Sequence, residues 1–235
     1  MEPMREIILD TETTGLDPAS GHRIVEIGCV ELIGRVESGR TFHVYLCPDR
    51  SMPAEAEAVH GLSEAFLSDK PRFADIAQDL MDFIGEASVV AHNAAFDIAF
   101  LDAELNACGQ PRLTMDRAID TLVLARGRHP GAKHSLDALC TRYGIDRSQR
   151  IKHGALLDAE LLAQVYVELT GGRQIGLQLV EDVIGEQQAA FTVTSVARTY
   201  RAPRPHTANA EEIARHAAFI QSLSDPLWLR YGSAG

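Results

Sequence analysis

The sequence predicts an α/β fold with a mixed central sheet flanked by helices, and three features of its 235 residues carry that expectation. Strand-like segments open the chain, separated only by short turns. Helical periodicity then alternates with brief apolar strands. A Gly171-Gly172 pair closes the last long helix, and regular patterning fades beyond it. Strands first and helices interleaved afterwards describe a sheet covered by helices.

The opening strands fall at residues 6–10, 23–33 and 40–47, with Asp17-Pro18, Ser20-Gly21 and Glu37-Ser38-Gly39 as turn signals between them. Short connections of this kind join antiparallel neighbours. Over 73–84, Ile76, Leu80, Phe83 and Ile84 share one helical face. A short apolar strand at 88–92 leads into a helix over 94–107, and further helices follow at 120–128, 135–143 and 154–170. Asp120 and Ser135 stand where helix N-caps are expected. The double glycine then marks a C-cap and a domain boundary, giving a globular domain over 1–172 and a tail over 173–235. Within that tail, 185–208 reads as a flexible linker rich in Gln, Thr, Arg and Pro. A final helix starts at Asn209, boxed by Glu212, with Ile213, Ala217 and Ile220 as its apolar stripe.

Composition excludes several classes of protein. At 46% hydrophobic and 23% charged residues the chain is of ordinary globular composition. No apolar run approaches the roughly 20 residues of a membrane span, and the N-terminus passes directly into a strand pattern, which argues against a signal peptide and for a cytoplasmic protein. Cys29, Cys47, Cys108 and Cys140 form no C-x-x-C pair, so neither a zinc site nor a redox motif is suggested. The net charge is −11, and from Arg173 onward six acids meet six bases, so the excess lies entirely in the first 172 residues. Such a domain does not grip long duplex DNA by its own electrostatics.

Chemistry is suggested by acids in unusual places. In "ILDTETTGLD", Asp10 and Glu12 project from the same face at the end of a buried strand. Asp97 in "HNAAFDIAFL" and Asp158 in "HGALLDAELL" each sit one turn into a helix, on the edge of its apolar stripe. Each has a plain structural reading: a turn for Asp10, a helix dipole for Asp97, and a surface position for the nearby His153. The DTETT segment also shares a loose pattern with a phosphatase nucleophile loop. Together, however, four carboxylates with no built-in counter-charge cannot all ionise cheaply in one cleft, and no lysine or arginine lies within a turn of Asp158 on its helix. Divalent cations resolve that repulsion, and oxygen donors favour Mg²⁺ or Mn²⁺. His153, five residues before Asp158, supplies a proton acceptor.

"LDTETTGLD", "HNAAFD" and "HGALLDA" resemble, in order, the three motifs of the histidine-bearing branch of the DEDD exonuclease superfamily. "FHVYLCPDR", "VHGL" and "SLDALCTRYGID" extend the resemblance over residues 1–172, closest to proofreading subunits of bacterial replicative DNA polymerases. The resemblance implies a ribonuclease-H-like fold and 3′→5′ removal of nucleotides from DNA ends. It implies that Asp10, Glu12 and Asp158 hold two divalent metals, that Asp97 acts on the second, and that His153 is the general base. Glu55 and His60 match residues that contact the terminal nucleotide, although a solvated role suits Glu55 equally. Thr13, Leu16, Asn93 and Phe96 are further candidates for the 3′ end, with Phe96 equally at home in a core.

In the tail, "QIGLQL" resembles a sliding-clamp peptide anchored by Gln174, Leu177 and Leu179. Ile213, Ile220, Leu227 and Trp228 are candidates for docking on a polymerase catalytic subunit, the large partner the resemblance implies; a small accessory subunit is a possible third one. An RNA-trimming relative and a catalytically silent binding module are the rivals. The tail disfavours the first, and the intact acid set disfavours the second.

Overall fold

The computed structural model describes residues 4–150, 152–171 and 207–224. Two units divide the chain, Met1–Leu179 and Val180–Gly235. In the first, five strands form one sheet in the order β3-β2-β1-β4-β5: β1 (Arg5–Thr13), β2 (Ile24–Ile33), β3 (Val36–Tyr45), β4 (Ser88–Ala91) and β5 (Ala118–Asp120). β1, β2 and β3 run antiparallel in succession, while β4 and β5 join parallel to β1. The expected mixed sheet is present.

Among the described residues this unit has seven α-helices: α1 (Ala54–His60), α2 (Glu64–Leu67), α3 (Phe73–Ile84), α4 (Ala94–Ala107), α5 (Thr121–Arg128), α6 (Leu136–Tyr143) and α7 (Ala155–Leu169). Alternation along β1 assigns its side chains to two layers. Ile7 and Leu9 pack with Leu80, Ile84, Phe100 and Leu101 of α3 and α4. Ile8 faces the other way, with Val30, Val90 and α7 residues Ala159, Leu162 and Tyr166. Burial on both faces explains why the central strands read as near-continuous apolar runs.

Three local differences from the sequence reading have physical causes. The β2–β3 turn is Gly34-Arg35, both at positive φ, with Ile33 paired to Val36. Glu37-Ser38-Gly39 instead lies inside β3, where the register shifts opposite Glu31 and Gly39 takes a φ of 84°. A glycine there makes a bulge as readily as a turn. The strand β5 is only three residues long, too short to show a period. The helices α1 and α2, of seven and four residues, are likewise too short to show a period.

Asp120 and Ser135 cap α5 and α6 as expected, accepting from Leu122 N–H at 2.8 Å and Ala138 N–H at 3.3 Å. In the second unit, α8 (Ala210–Gln221) begins with the expected reciprocal box: Glu212 N–H donates to Asn209 Oδ1 at 2.8 Å, and Asn209 N–H to Glu212 Oε2 at 2.9 Å. No residue of α8 is buried, and Ile213 and Phe219 are exposed. The clamp-peptide residues Gln174, Leu177 and Leu179, the 173–206 part of the expected tail, and Leu227 and Trp228 lie outside the described residues.

Candidate active site

Strand β1 runs further than its apolar portion, through Thr13, so Asp10 and Glu12 are both strand residues. With Ile8 they point toward α7, whereas Thr11 points to the α4 side. Opposite Asp10 on β2 stands Gly28. A Cβ on Gly28 would come within 2.2 Å of the Leu156 backbone nitrogen, so glycine is what lets the start of α7 lie directly on the sheet. That approach sets Asp158, in the first turn of α7, beside the two strand acids.

Asp97 arrives from the other layer. Asn93 adopts the left-handed conformation (φ 67°) between β4 and α4, which asparagine tolerates better than most residues. Its N–H donates to Asp120 Oδ1 at 3.1 Å, which ties the turn to the end of β5. Asp97 in the first turn of α4 then accepts a 2.7 Å hydrogen bond from the Thr11 hydroxyl and is 3% exposed. The N-termini of α4 and α7 both face this cleft, and their dipoles favour anions there.

The result is a cavity of about 260 Å³ lined by Asp10, Glu12, Asn93, Phe96, Asp97, His153 and Asp158, together with Asp137 and Arg150. It lies at the carboxyl ends of the parallel strands, where open α/β sheets bind ligands. Burial, followed by repulsion from Asp97, Glu12 and Asp158, holds the Asp10 carboxyl well above the usual range. Burial and the Asp158 charge push Glu12 up to about 8, and burial raises Asp97 to about 7 against the Thr11 hydrogen bond. The Arg150 charge offsets these rises in Asp10 and Glu12 only in part. Glu12, His153 and Asp158 bring ligand atoms within 4.8 Å of one another, a spacing and donor set that fit a divalent cation.

A second cavity of about 530 Å³ shares the wall made by Thr11, Glu12 and Phe96. Thr13, Leu16, Glu55, Val59 and His60 line it, so all the expected 3′-end residues border one cavity or the other. Leu16 is an apolar side chain left 85% exposed by the described residues. His60 is buried, its Nδ1 accepts from Leu62 N–H at 3.0 Å, and burial lowers its pKa, which favours the neutral ring. Phe96 packs on the core, 4.9 Å from the Phe100 ring, and also lines both cavities.

One expectation needs correction. Asp158 does have a cation beside it. Arg150 Nε and Nη2 donate to the two Asp158 oxygens at 2.5 and 2.7 Å, Nη1 donates to Asp137 Oδ1 at 2.9 Å, and Nη2 also donates to His153 Nδ1 at 2.7 Å. Looking along the helix for a partner missed it because it comes from the preceding loop. The available signal was a basic residue three positions before His153. His22 was also missed: its ring lies against Gly15, where a Cβ would approach within 2.3 Å, and it lines the larger cavity. On α8, Ile213 and Ile220 belong to the other unit.

Comparisons with known proteins agree with this geometry. A family profile described as "Exonuclease" matches residues 7–166. The chain is 48% identical over 226 residues to the DNA polymerase III subunit epsilon of Rickettsia felis, covering 95% of this chain and 98% of that protein. It is 46% identical over 221 residues to the subunit of the same name from Escherichia coli K12, covering 91% of each. Among solved structures, exonuclease X in complex with 5′ overhanging duplex DNA superposes with a TM-score of 0.57 at 30% identity, covering 70% of this chain and 90% of that one. The nuclease domain of 3′hExo, a DEDDh family member bound to rAMP, shares the fold at a TM-score of 0.62 and 18% identity, over 72% of this chain and 92% of its own.

Proposed function

Because this chain belongs to the exonuclease family, and within it to the DNA polymerase III epsilon subunits, we propose that its acidic cleft removes mismatched 3′-terminal nucleotides from DNA as 5′-mononucleotides. The observation that carries this reading is the convergence of Asp10, Glu12, Asp97 and Asp158 beside His153, with a nucleotide-sized cavity sharing their wall.

In this reading Asp10, Glu12 and Asp158 hold two divalent cations, Mg²⁺ or Mn²⁺, and Asp97 borders the second. When bound, such cations supply positive charge against the charge that develops on the phosphate and the leaving oxygen. The larger cavity receives the terminal nucleotide, with Leu16, Val59 and Phe96 against the base and sugar and with Thr13, Glu55 and neutral His60 as polar contacts. Asn93 borders the phosphate side. Water attacks the terminal phosphodiester, the bond to the O3′ of the penultimate nucleotide breaks, and His153 receives the proton of the water. An unpaired end enters more readily because less pairing and stacking must be broken, and that difference is the selectivity.

A net charge of −11 fits a nuclease whose grip on DNA comes from a partner. The polymerase III catalytic subunit is that partner, reached through the tail from 173 onward and docked by the apolar side of α8, with exposed Ile213 and half-buried Ile220, and by Leu227 and Trp228. Gln174, Leu177 and Leu179 form the clamp peptide, so changing both leucines to alanine weakens clamp binding by at least about tenfold. Such a protein works in the cytoplasm, and among the described residues no helix is long and apolar enough to cross a membrane. The test is excision by the purified chain with Mg²⁺ on a 3′-mismatched primer, a matched primer and an RNA oligomer. Preferential release of deoxynucleotides from the mismatch is expected; preference for the RNA assigns the chain to RNA trimming instead.

A further inference from the structure

Arg150 is the cation that the acidic cleft carries within itself. Its side chain is 9% exposed, and it takes both oxygens of Asp158, which is 3% exposed. Two of its nitrogens reach further, to Asp137 Oδ1 at 2.9 Å and to His153 Nδ1 at 2.7 Å. A guanidinium only donates, so His153 Nδ1 must accept, and a neutral ring then carries its proton on Nε2. In that state the imidazole has no free lone pair to receive another proton.

Asp158 is also one of the residues whose ligand atoms, with those of Glu12 and His153, gather within 4.8 Å. The guanidinium and a divalent cation would compete there for the same carboxylate and repel each other. Asp137 offers a place for the arginine to go. It is 47% exposed, sits outside the acid quartet at the start of α6, and already holds Arg147 at 2.9 Å as well as Arg150. His153 Nδ1 already lies 3.2 Å from Asp158 Oδ2, which becomes its acceptor once the guanidinium is gone. That nitrogen can then carry the proton, leaving the Nε2 lone pair free.

We propose that Arg150 is a positioning residue whose guanidinium is displaced from Asp158 when the cleft is loaded with metal, and that this exchange switches His153 from the Nε2–H to the Nδ1–H form. The inference rests on the metal-dependent reading of the site. It lets one guanidinium offset part of the cleft's charge while the site is empty and couples metal loading to availability of the base. Arg150 therefore opposes metal binding while it keeps the empty site ordered.

The experiment uses the full chain labelled with ¹⁵N and treated with chelator, titrated with Mg²⁺ alone at pH 8.5. Without metal, a slowly exchanging arginine Nε–H resonance is expected, assigned to Arg150 by its disappearance in Arg150→Lys. Saturating Mg²⁺ should abolish its protection, and the His153 ring nitrogens should exchange their protonated and acceptor shifts. By calorimetry, Arg150→Met, confirmed folded by its melting transition, should bind Mg²⁺ at least about fivefold more tightly than wild type, with Arg150→Lys between them. A resonance that stays protected at saturation, an unchanged His153 tautomer, or equal or weaker Mg²⁺ binding by Arg150→Met overturns the exchange. Mg²⁺ binding with any of these results leaves the nuclease reading standing, whereas wild type that binds no Mg²⁺ sinks both.

Discussion

β1 meets acids at both of its ends, and the two ends treat them in opposite ways. Near its start, Glu6 and the neighbouring Glu31 of β2 are fully buried. Glu6 accepts the Tyr166 hydroxyl at 2.6 Å, and Glu31 accepts from Arg5 at 2.6 Å, Ser38 at 2.6 Å and Arg40 at 2.9 Å. Burial pushes Glu31 up, but Ser38 and the two arginines outweigh it and hold its carboxyl below the ordinary value. At the other end Asp10, Glu12, Asp97 and Asp158 share one arginine, and three of them are pushed up instead. The strand, the sheet and the degree of burial are similar. What differs is the supply of positive charge: Glu31 meets two arginines, although Glu6 keeps one buried oxygen without a partner among the described residues, whereas the cleft is left short of positive charge so that something can bind.

The largest expected effect breaks the functional end. Asp10→Ala should leave no mismatch excision above a chelator-treated control while its melting curve stays cooperative; measurable excision would show that Asp10 is dispensable. His153→Ala should lower turnover by about 10²–10⁴-fold, the usual range for a lost general base. Its binding of a mononucleotide in the adjoining cavity, read by calorimetry, should persist. Turnover within a few fold of wild type would remove His153 from the chemistry.

Stability sharpens the contrast at smaller scale. Glu31→Ala strips partners from Arg5 and Arg40, which retain some water, and should cost about 1–3 kcal/mol in denaturant unfolding. Glu12→Gln in chelator-treated protein at about pH 9, above the value of about 8 at which folded Glu12 gives up its proton, should have the opposite sign, because there it removes a repelling anion. Equal destabilisation by both would mean that the two ends do not differ.

pH provides the mildest probe. Glu12 and Asp97 keep their protons to about 8 and about 7 in the folded state, against ordinary values of 4.5 and 3.8. The folded protein therefore holds more protons than the unfolded chain across that window, and stability falls as pH rises through it, levelling off above. Glu31 acts the other way: its contribution is present at neutral pH and is lost as pH falls below the ordinary carboxylate value. Melting temperatures of chelator-treated protein from pH 5 to 9 should decline, and Mg²⁺ should flatten the decline by neutralising the ionised acids. A flat profile without metal would contradict the raised values.

Much of this was legible in the chain itself. Periodicity located β1, β2, α3, α4 and α7, because each has a long apolar pattern that only one element satisfies. The acids of the cleft stood out because an anion on a core-facing edge is costly wherever it occurs. Cap residues such as Asp120 and Asn209 could be read locally, since their bonds are to neighbours in sequence. Elements without a full period, such as β5 and α2, could not.

Tertiary structure alone decided which groups meet. The bulge at Ser38-Gly39 places Ser38 and Arg40 on Glu31, the missing side chain of Gly28 admits α7 to the sheet, and the loop before α7 folds Arg150 back onto Asp158. Sequence patterns record which face of an element is buried, because that preference is summed over many residues of one segment. The partner of a buried charge is a single contact made across the fold, and no local pattern encodes it.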